Sequence, residues 1–126
     1  MRTGTREKDK LSEILDMLPA FIYVQKPNHT IEFYNREFYN LFGEPKGRKC
    51  YEIFQNAPCL CNPCIAENVL DTKDPNIRKW QDREGRFYMR YHYFFTDADG
   101  ISKVLGAGVD ISRQVANRKA LKESEE

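Results

Sequence analysis

Two stretches in the last third of the chain alternate apolar and other side chains with the period of two that is typical of β-strands. In the segment 87–96 we expect one face to lie against the core, and it consists of Phe87, Met89, Tyr91, Tyr93 and Phe95. A turn is predicted at Asp99-Gly100, and a second strand follows over 104–111. Because Gly106 and Gly108 interrupt that strand, we expect another group to pack closely on its backbone.

The rest of the pattern predicts a second hairpin near the start of the chain and several helices. The predicted elements are a helix over 11–18, strands over 21–24 and 31–34, a helix over 36–42 capped by Asn35 and ended at Gly43, a helix over 65–70, a strand over 77–81 and a charged helix from Arg113. This order predicts an α+β fold. Its five-stranded antiparallel sheet would carry a helical crossover on one face and a helix at each end.

The length of 126 residues predicts one domain. We expect a disordered or frayed lead over 1–10, the domain over 11–112 and a linker helix over 113–126. The net charge is +1, from 20 basic and 19 acidic residues. This balance argues against nucleic acid as a partner. No apolar run approaches the length of a membrane span and the first residues are charged, so we expect no membrane contact and a cytoplasmic location.

Four cysteines lie close together, at Cys50, Cys59, Cys61 and Cys64. Four thiolates could hold zinc or an iron–sulfur cluster. A redox-active thiol pair and purely structural cysteines are the alternatives, because spacing alone does not distinguish the three.

A ligand pocket could be lined by Trp80, Tyr91 and His92, although aromatic strands more often form a core. His92 could also ligate haem, which we expect less than a metal on the cysteines, whereas His29 falls in a turn and is expected to be solvated. The chain has no phosphate-binding glycine loop and no Ser/His/Asp set, so we expect no enzymatic activity in it.

Several short motifs resemble those of PAS domains, the sensor modules of bacterial and archaeal signalling proteins. They are Pro19-Ala20-Phe21, the strand pair that ends at Asn35, Asp99-Gly100, and the strand end Gly-Val-Asp-Ile-Ser at 108–112. Ser112 stands where threonine is more usual, and it keeps a hydroxyl that can cap the next helix. The resemblance implies the PAS fold, a sensory role, and a relay through Asp110, Ile111 and Ser112 into the last helix.

The same resemblance implies a homodimer and a further PAS or output domain in the same protein. The parent protein that we expect first is a two-component histidine kinase, and the second choice is a diguanylate cyclase. Gly47-Arg-Lys-Cys50-Tyr-Glu and the Cys61-x-x-Cys64 pair are similar to a cysteine-rich subgroup of these domains. Two alternatives from other classes are a structural dimerisation module with an empty pocket and a small ligand-binding enzyme with a similar sheet. The stimulus and the output domain are not encoded in any motif of the chain.

Overall fold

The computed structural model describes residues 2–54, 64–82 and 84–125, and side chains from residue 10 to residue 122 within those ranges. Its helices are α1 (Arg2–Met17), α2 (Arg36–Phe42), α3 (Cys50–Phe54), α4 (Ile65–Thr72) and α5 (Ser112–Glu125). Its strands are β1 (Ala20–Gln25), β2 (Ile31–Tyr34), β3 (Asn76–Gln81), β4 (Phe87–Thr96) and β5 (Ser102–Asp110). These elements confirm the predicted α+β class.

The five strands form one antiparallel sheet in the order β2-β1-β5-β4-β3. The two ends of the chain meet in its centre, where β1 pairs with β5 from Ala20 opposite Val109 to Gln25 opposite Val104. The segment between the two hairpins carries α2, α3 and α4, and side chains from all three helices pack in the core on one face of the sheet. The sheet with a helical crossover is therefore confirmed.

Asn35 joins the first helix, the first strand and the second helix. Its Oδ1 accepts hydrogen bonds from the backbone amides of Ile22 (2.9 Å) and Phe38 (3.1 Å), and the second of these caps α2. Its Nδ2 donates to the carbonyls of Leu15 and Ala20, both at 2.9 Å. The predicted cap is confirmed, and the same buried side chain also satisfies three further backbone groups.

The division of the chain at residue 10 stays a prediction. The helix expected over 11–18 is longer at its start, since α1 begins at Arg2 and continues without a break to Met17. Its apolar side chains Leu11 and Leu15 lie over the sheet face opposite the core. A helix that covers apolar strand residues can extend well past them, since each added residue contributes one more backbone hydrogen bond.

The prediction of the core face of β4 is wrong. Tyr88, Arg90 and His92 are buried, whereas Tyr93 on the predicted face is exposed. The buried face carries Arg90 and His92 and is the more polar of the two in sequence, so the choice of the core face depends on the neighbouring strand. On β5, the residues paired with Arg90 and His92 are Gly108 and Gly106, which leave space for large rings on that side only.

Gly106 and Gly108 provide this space on the core face of β5. The rings of Tyr23 and Phe21, from the neighbouring strand β1, lie directly on the backbone of Gly106 and Gly108 respectively. A Cβ atom at either glycine would overlap the ring above it. The predicted close packing on these glycines is confirmed.

None of the helices among the described residues is long and apolar enough to cross a bilayer.

We predict that Gly106→Ala destabilises the domain, because the new methyl group displaces the Tyr23 ring from a packed core. The expected loss in the free energy of unfolding is about 1–3 kcal/mol, measured by urea denaturation. Val109→Thr on the same strand is the control, since Val109 is partly exposed and threonine keeps the branched shape. A Gly106→Ala variant as stable as the control would contradict the packing described here.

Candidate functional site

Arg90 places a positive charge inside the aromatic core. The residue is 5% exposed, and its guanidinium carbon lies 4.3 Å from the centre of the Phe54 ring and 5.3 Å from that of Trp80. Its Nη2 donates a hydrogen bond to the Tyr23 hydroxyl. Among the described residues no carboxylate lies within ion-pair distance, and Nε has no hydrogen-bond partner. Cation–π contacts therefore take the place of an ion pair, and one N–H remains available to an acceptor.

His92 lies two residues further along the same face of β4 and is held neutral. Burial, and secondarily the charge of Arg90, lower its pKa from 6.5 to about 3. Its Nδ1 and the Oδ1 of Asn76 on the paired strand have no hydrogen-bond partner among the described residues. Burial also raises the pKa of the Tyr23 phenol, an effect that Arg90 partly offsets. The core face thus carries polar atoms whose hydrogen-bonding capacity is not used.

Only two of the three predicted pocket residues share this face. Trp80 packs against the aromatic core, and the register places it on the same side of the sheet as His92. Tyr91 points to the opposite side, where its ring stacks against that of Tyr93 at 6.5 Å. The structure does not bring Tyr91 together with the other two, and haem binding at His92 stays a prediction.

A second polar cluster forms around His29, at the turn between β1 and β2. The expectation that His29 is solvated is wrong, because the residue is 9% exposed. Its Nδ1 lies 3.3 Å from the side-chain Nε2 of Gln25 and 3.7 Å from the Cys50 Sγ. Its own Nε2 lies 3.5 Å from Glu67 Oε1. One ligand atom each from His29, Cys64 and Glu67 lies within 4.8 Å of the others.

Of the four cysteines predicted as metal ligands, the structure describes Cys50 and Cys64. Both approach the His29 ring, Cys50 from the first position of α3 and Cys64 from the position directly before α4. Cys59 and Cys61 lie outside the described residues. Two groups that the cysteine pattern did not include, His29 and Glu67, complete the cluster.

The predicted relay residues lie where β5 becomes α5. The Asp110 Oδ1 accepts from the Ser112 amide at 2.8 Å, and the Ser112 Oγ accepts from the Phe87 amide at 2.9 Å. The Ile111 amide donates to the Phe87 carbonyl at 2.8 Å. The two bonds to Phe87 attach the start of α5 to the beginning of β4, and the Asp110 bond joins it to the end of β5.

Comparison with solved structures identifies the fold. An RNA-binding light-oxygen-voltage receptor superposes with a TM-score of 0.64 at 14% identity, over 94% of this chain and 36% of the receptor. The PAS domain from Bordetella pertussis BvgS gives 0.63 at 15% identity, over 97% of this chain and 98% of that domain. A sensory box sensor histidine kinase from Vibrio cholerae superposes with a TM-score of 0.58 at 16% identity, over 87% of this chain and 98% of that one. This chain has the PAS fold.

The chain spans about a third of the light-oxygen-voltage receptor, 36% of its length. No family model and no curated protein in the comparisons matches the sequence.

Within this PAS fold, sequence reasoning missed Arg90, His29 and Glu67. Arg90 stood on the face predicted to be outside the core, so its burial could not be inferred. His29 and Glu67 are 38 positions apart in sequence, and no spacing rule links them. The one available signal was the histidine beside a proline and an asparagine in a tight turn, which indicated only a loop.

We predict that His92 lowers the stability of this PAS domain as the pH falls. The pKa of His92 is depressed to about 3 in the folded state, so the unfolded chain takes up a proton first, below its own pKa of about 6.5. Stability is therefore lost as the pH falls from about 6.5 toward 3. Relative to a His92→Gln variant, the free energy of unfolding should fall by about 2 kcal/mol between pH 8 and pH 5.

Urea denaturation at a series of pH values measures this difference between the two proteins. Since the carboxylates are common to both, their titration cancels in the comparison. Stability curves that run parallel from pH 8 to pH 5 would contradict the neutral, buried state of His92.

Proposed function

We propose that the chain is a PAS sensory and signal-transduction domain of a multidomain signalling protein, most of all a histidine kinase. The observation that carries this proposal is the attachment of α5 to the central hairpin through Asp110, Ser112 and Phe87. A sensory box histidine kinase among the similar folds supports the choice of output. The same connection could serve a diguanylate cyclase, which stays the alternative.

The proposed route runs along β4 and β5. Arg90 and His92 belong to the core face of β4, and the Phe87 at the beginning of that strand holds the first turn of α5. A change at the core face or in the crossover helices that moves β4 would therefore displace both the amide and the carbonyl that fix α5. Such a displacement changes the direction in which the helix leaves the domain.

A homodimer is part of the proposal, because the sheet face opposite the core has an apolar groove of about 610 Å³ beneath α1. It is lined by Leu11, Leu15, Ile22, Val24, Phe33, Tyr93, Leu105 and Ala107. On the same helix Met17 is 82% exposed and Ile14 52%. A second copy of the helix and groove would remove these side chains from water, with the same surface used on both subunits.

A second candidate function, a dimerisation module that binds no organic ligand, is favoured by the filling of the core. The rings of Phe21, Phe38, Phe42 and Phe54 pack against one another with centroid distances of 4.9 to 6.5 Å. An organic ligand would have to displace some of them. The unpaired Nε of Arg90 supports the opposite assignment, since a buried guanidinium can bind an anionic or carbonyl group.

We predict that Ser112→Ala changes kinase output when the chain is joined to a dimeric histidine-kinase module by a continuous α5. Loss of the hydrogen bond between Ser112 and Phe87 destabilises the observed attachment of α5 to β4 by about 0.5–1.5 kcal/mol. Such a change shifts a two-state equilibrium roughly 2- to 10-fold. Autophosphorylation of the purified fusion protein measures this shift.

Arg113→Ala is the matched control for this experiment, because Arg113 is the next residue along and its side chain is exposed. Its autophosphorylation should equal that of the unmodified fusion. If the Ser112 and Arg113 variants phosphorylate at the same rate, the connection does not transmit a signal and the proposed function is wrong.

We predict that the chain sediments as a dimer at tens of micromolar concentration and that Ile14→Glu with Met17→Glu makes it monomeric. Two charges would be placed in the apolar contact, where no partner offsets their desolvation. Glu13→Gln on the same helix is the control and should leave the dimer intact. A monomeric unmodified chain would contradict the use of this face.

A further inference from the structure

The cluster at His29 brings together three different metal-binding groups from two separate segments. His29 comes from the turn between β1 and β2, Cys64 directly precedes α4, and Glu67 lies in the first turn of that helix. We propose that these three residues form a binding site for a zinc-type divalent metal ion, with water at the fourth position. Zinc binding here does not require the signalling role proposed above.

The donor set selects the class of ion. An imidazole nitrogen, a thiolate and a carboxylate oxygen suit zinc and similar transition metals, whereas calcium and magnesium prefer oxygen ligands alone. The three donor atoms lie within 4.8 Å of one another, so small side-chain rotations bring them to bonding distance of one ion. Three protein ligands leave one tetrahedral position open, as in zinc sites that keep a bound water.

His29 is fixed in place before any ion binds. Its amide donates to the Lys26 carbonyl at 2.9 Å, and its carbonyl accepts from the Cys50 amide at 2.9 Å. These two bonds hold the residue in a left-handed conformation with φ of 74°. The ring is therefore oriented by the backbone, which reduces the conformational entropy that ligand binding would otherwise remove.

The groups around the ring support a metal on Nε2. With Nε2 facing Glu67, the other nitrogen Nδ1 faces Gln25 and Cys50 at 3.3 and 3.7 Å. An ion on Nε2 requires the proton on Nδ1, and the Gln25 side-chain oxygen can accept a hydrogen bond from Nδ1–H after a rotation of the amide. A hydrogen-bonded second nitrogen is the usual arrangement for a metal-binding histidine.

Cys64 and Glu67 are both available to the ion. Cys64 stands at the N-cap position of α4, but its side chain makes no capping hydrogen bond. Its thiol gives up one proton to solvent when the thiolate binds the metal. The Glu67 side chain is 52% exposed, so it offers a path from solvent to the buried imidazole.

The consequence is a connection between the edge of the sheet and the crossover. An ion bound by these residues would hold α4 to the β1–β2 turn, which the His29–Glu67 pair already brings together. This site differs from a four-cysteine centre, because histidine, glutamate and water take the place of three of the four sulfur ligands.

The test uses the full chain, reduced and freed of metal with a chelator, and titrated with Zn²⁺ against a chromogenic competitor. We expect one equivalent of zinc to bind, and we expect Glu67→Gln to raise the dissociation constant at least about 10-fold. Asp71→Asn, an exposed carboxylate on the same helix, is the matched control and should bind like the unmodified chain. Because Glu67 is exposed, its variant is expected to fold.

Two further variants distinguish the ligand set. Cobalt(II) in place of zinc should give a sulfur-to-metal charge-transfer band that Cys64→Ser removes, and His29→Ala should weaken binding at least as much as Glu67→Gln. The proposal is overturned if no zinc binds at micromolar concentration. It is also overturned if His29→Ala and Glu67→Gln bind like the unmodified chain while Cys59→Ser with Cys61→Ser abolishes binding, since the site would then consist of cysteines.

Discussion

The contact on which the domain depends is that of two aromatic rings with the bare backbone of β5. Phe21 and Tyr23 lie on Gly108 and Gly106, and this arrangement decides which face of the sheet is the core. With the rings at that depth, Arg90 fits between Tyr23, Phe54 and Trp80 rather than reaching solvent. The position of the Arg90 guanidinium therefore depends on the two glycines, which have no β-carbon.

Two clusters of buried polar groups lie in different parts of the domain. Arg90 and His92 belong to the core face of the central hairpin, which also carries the attachment of α5. His29, Cys64 and Glu67 belong to the contact between the β1–β2 turn and the crossover. In the proposed function, the first group would act on α5 through β4. The second would act through the placement of α4, whose Ala66 and Val69 pack beside Val104 of β5.

Local chemistry predicted the boundaries of the elements well. Asn35 is the cap of α2 and Gly43 its end, as their side-chain and backbone preferences require. The Asp110 and Ser112 side chains also accept hydrogen bonds from backbone amides, as expected where a strand becomes a helix. Each of these features involves few residues, and most of its hydrogen bonds join residues that are close together in the sequence. The beginning of α1 and the whole of α3, where no helix was predicted, were the exceptions.

By itself, the sequence determined the order of the elements, the glycines that admit the rings and the cysteine-bearing crossover. The tertiary structure alone decided the core face of β4, because the face with more apolar residues in sequence is not the one that lies beside Gly106 and Gly108. It also decided that His29 is buried beside Glu67. The packing of α4 on the sheet brings together residues that are distant in the chain. The pattern of a single segment contains no information about such contacts between segments.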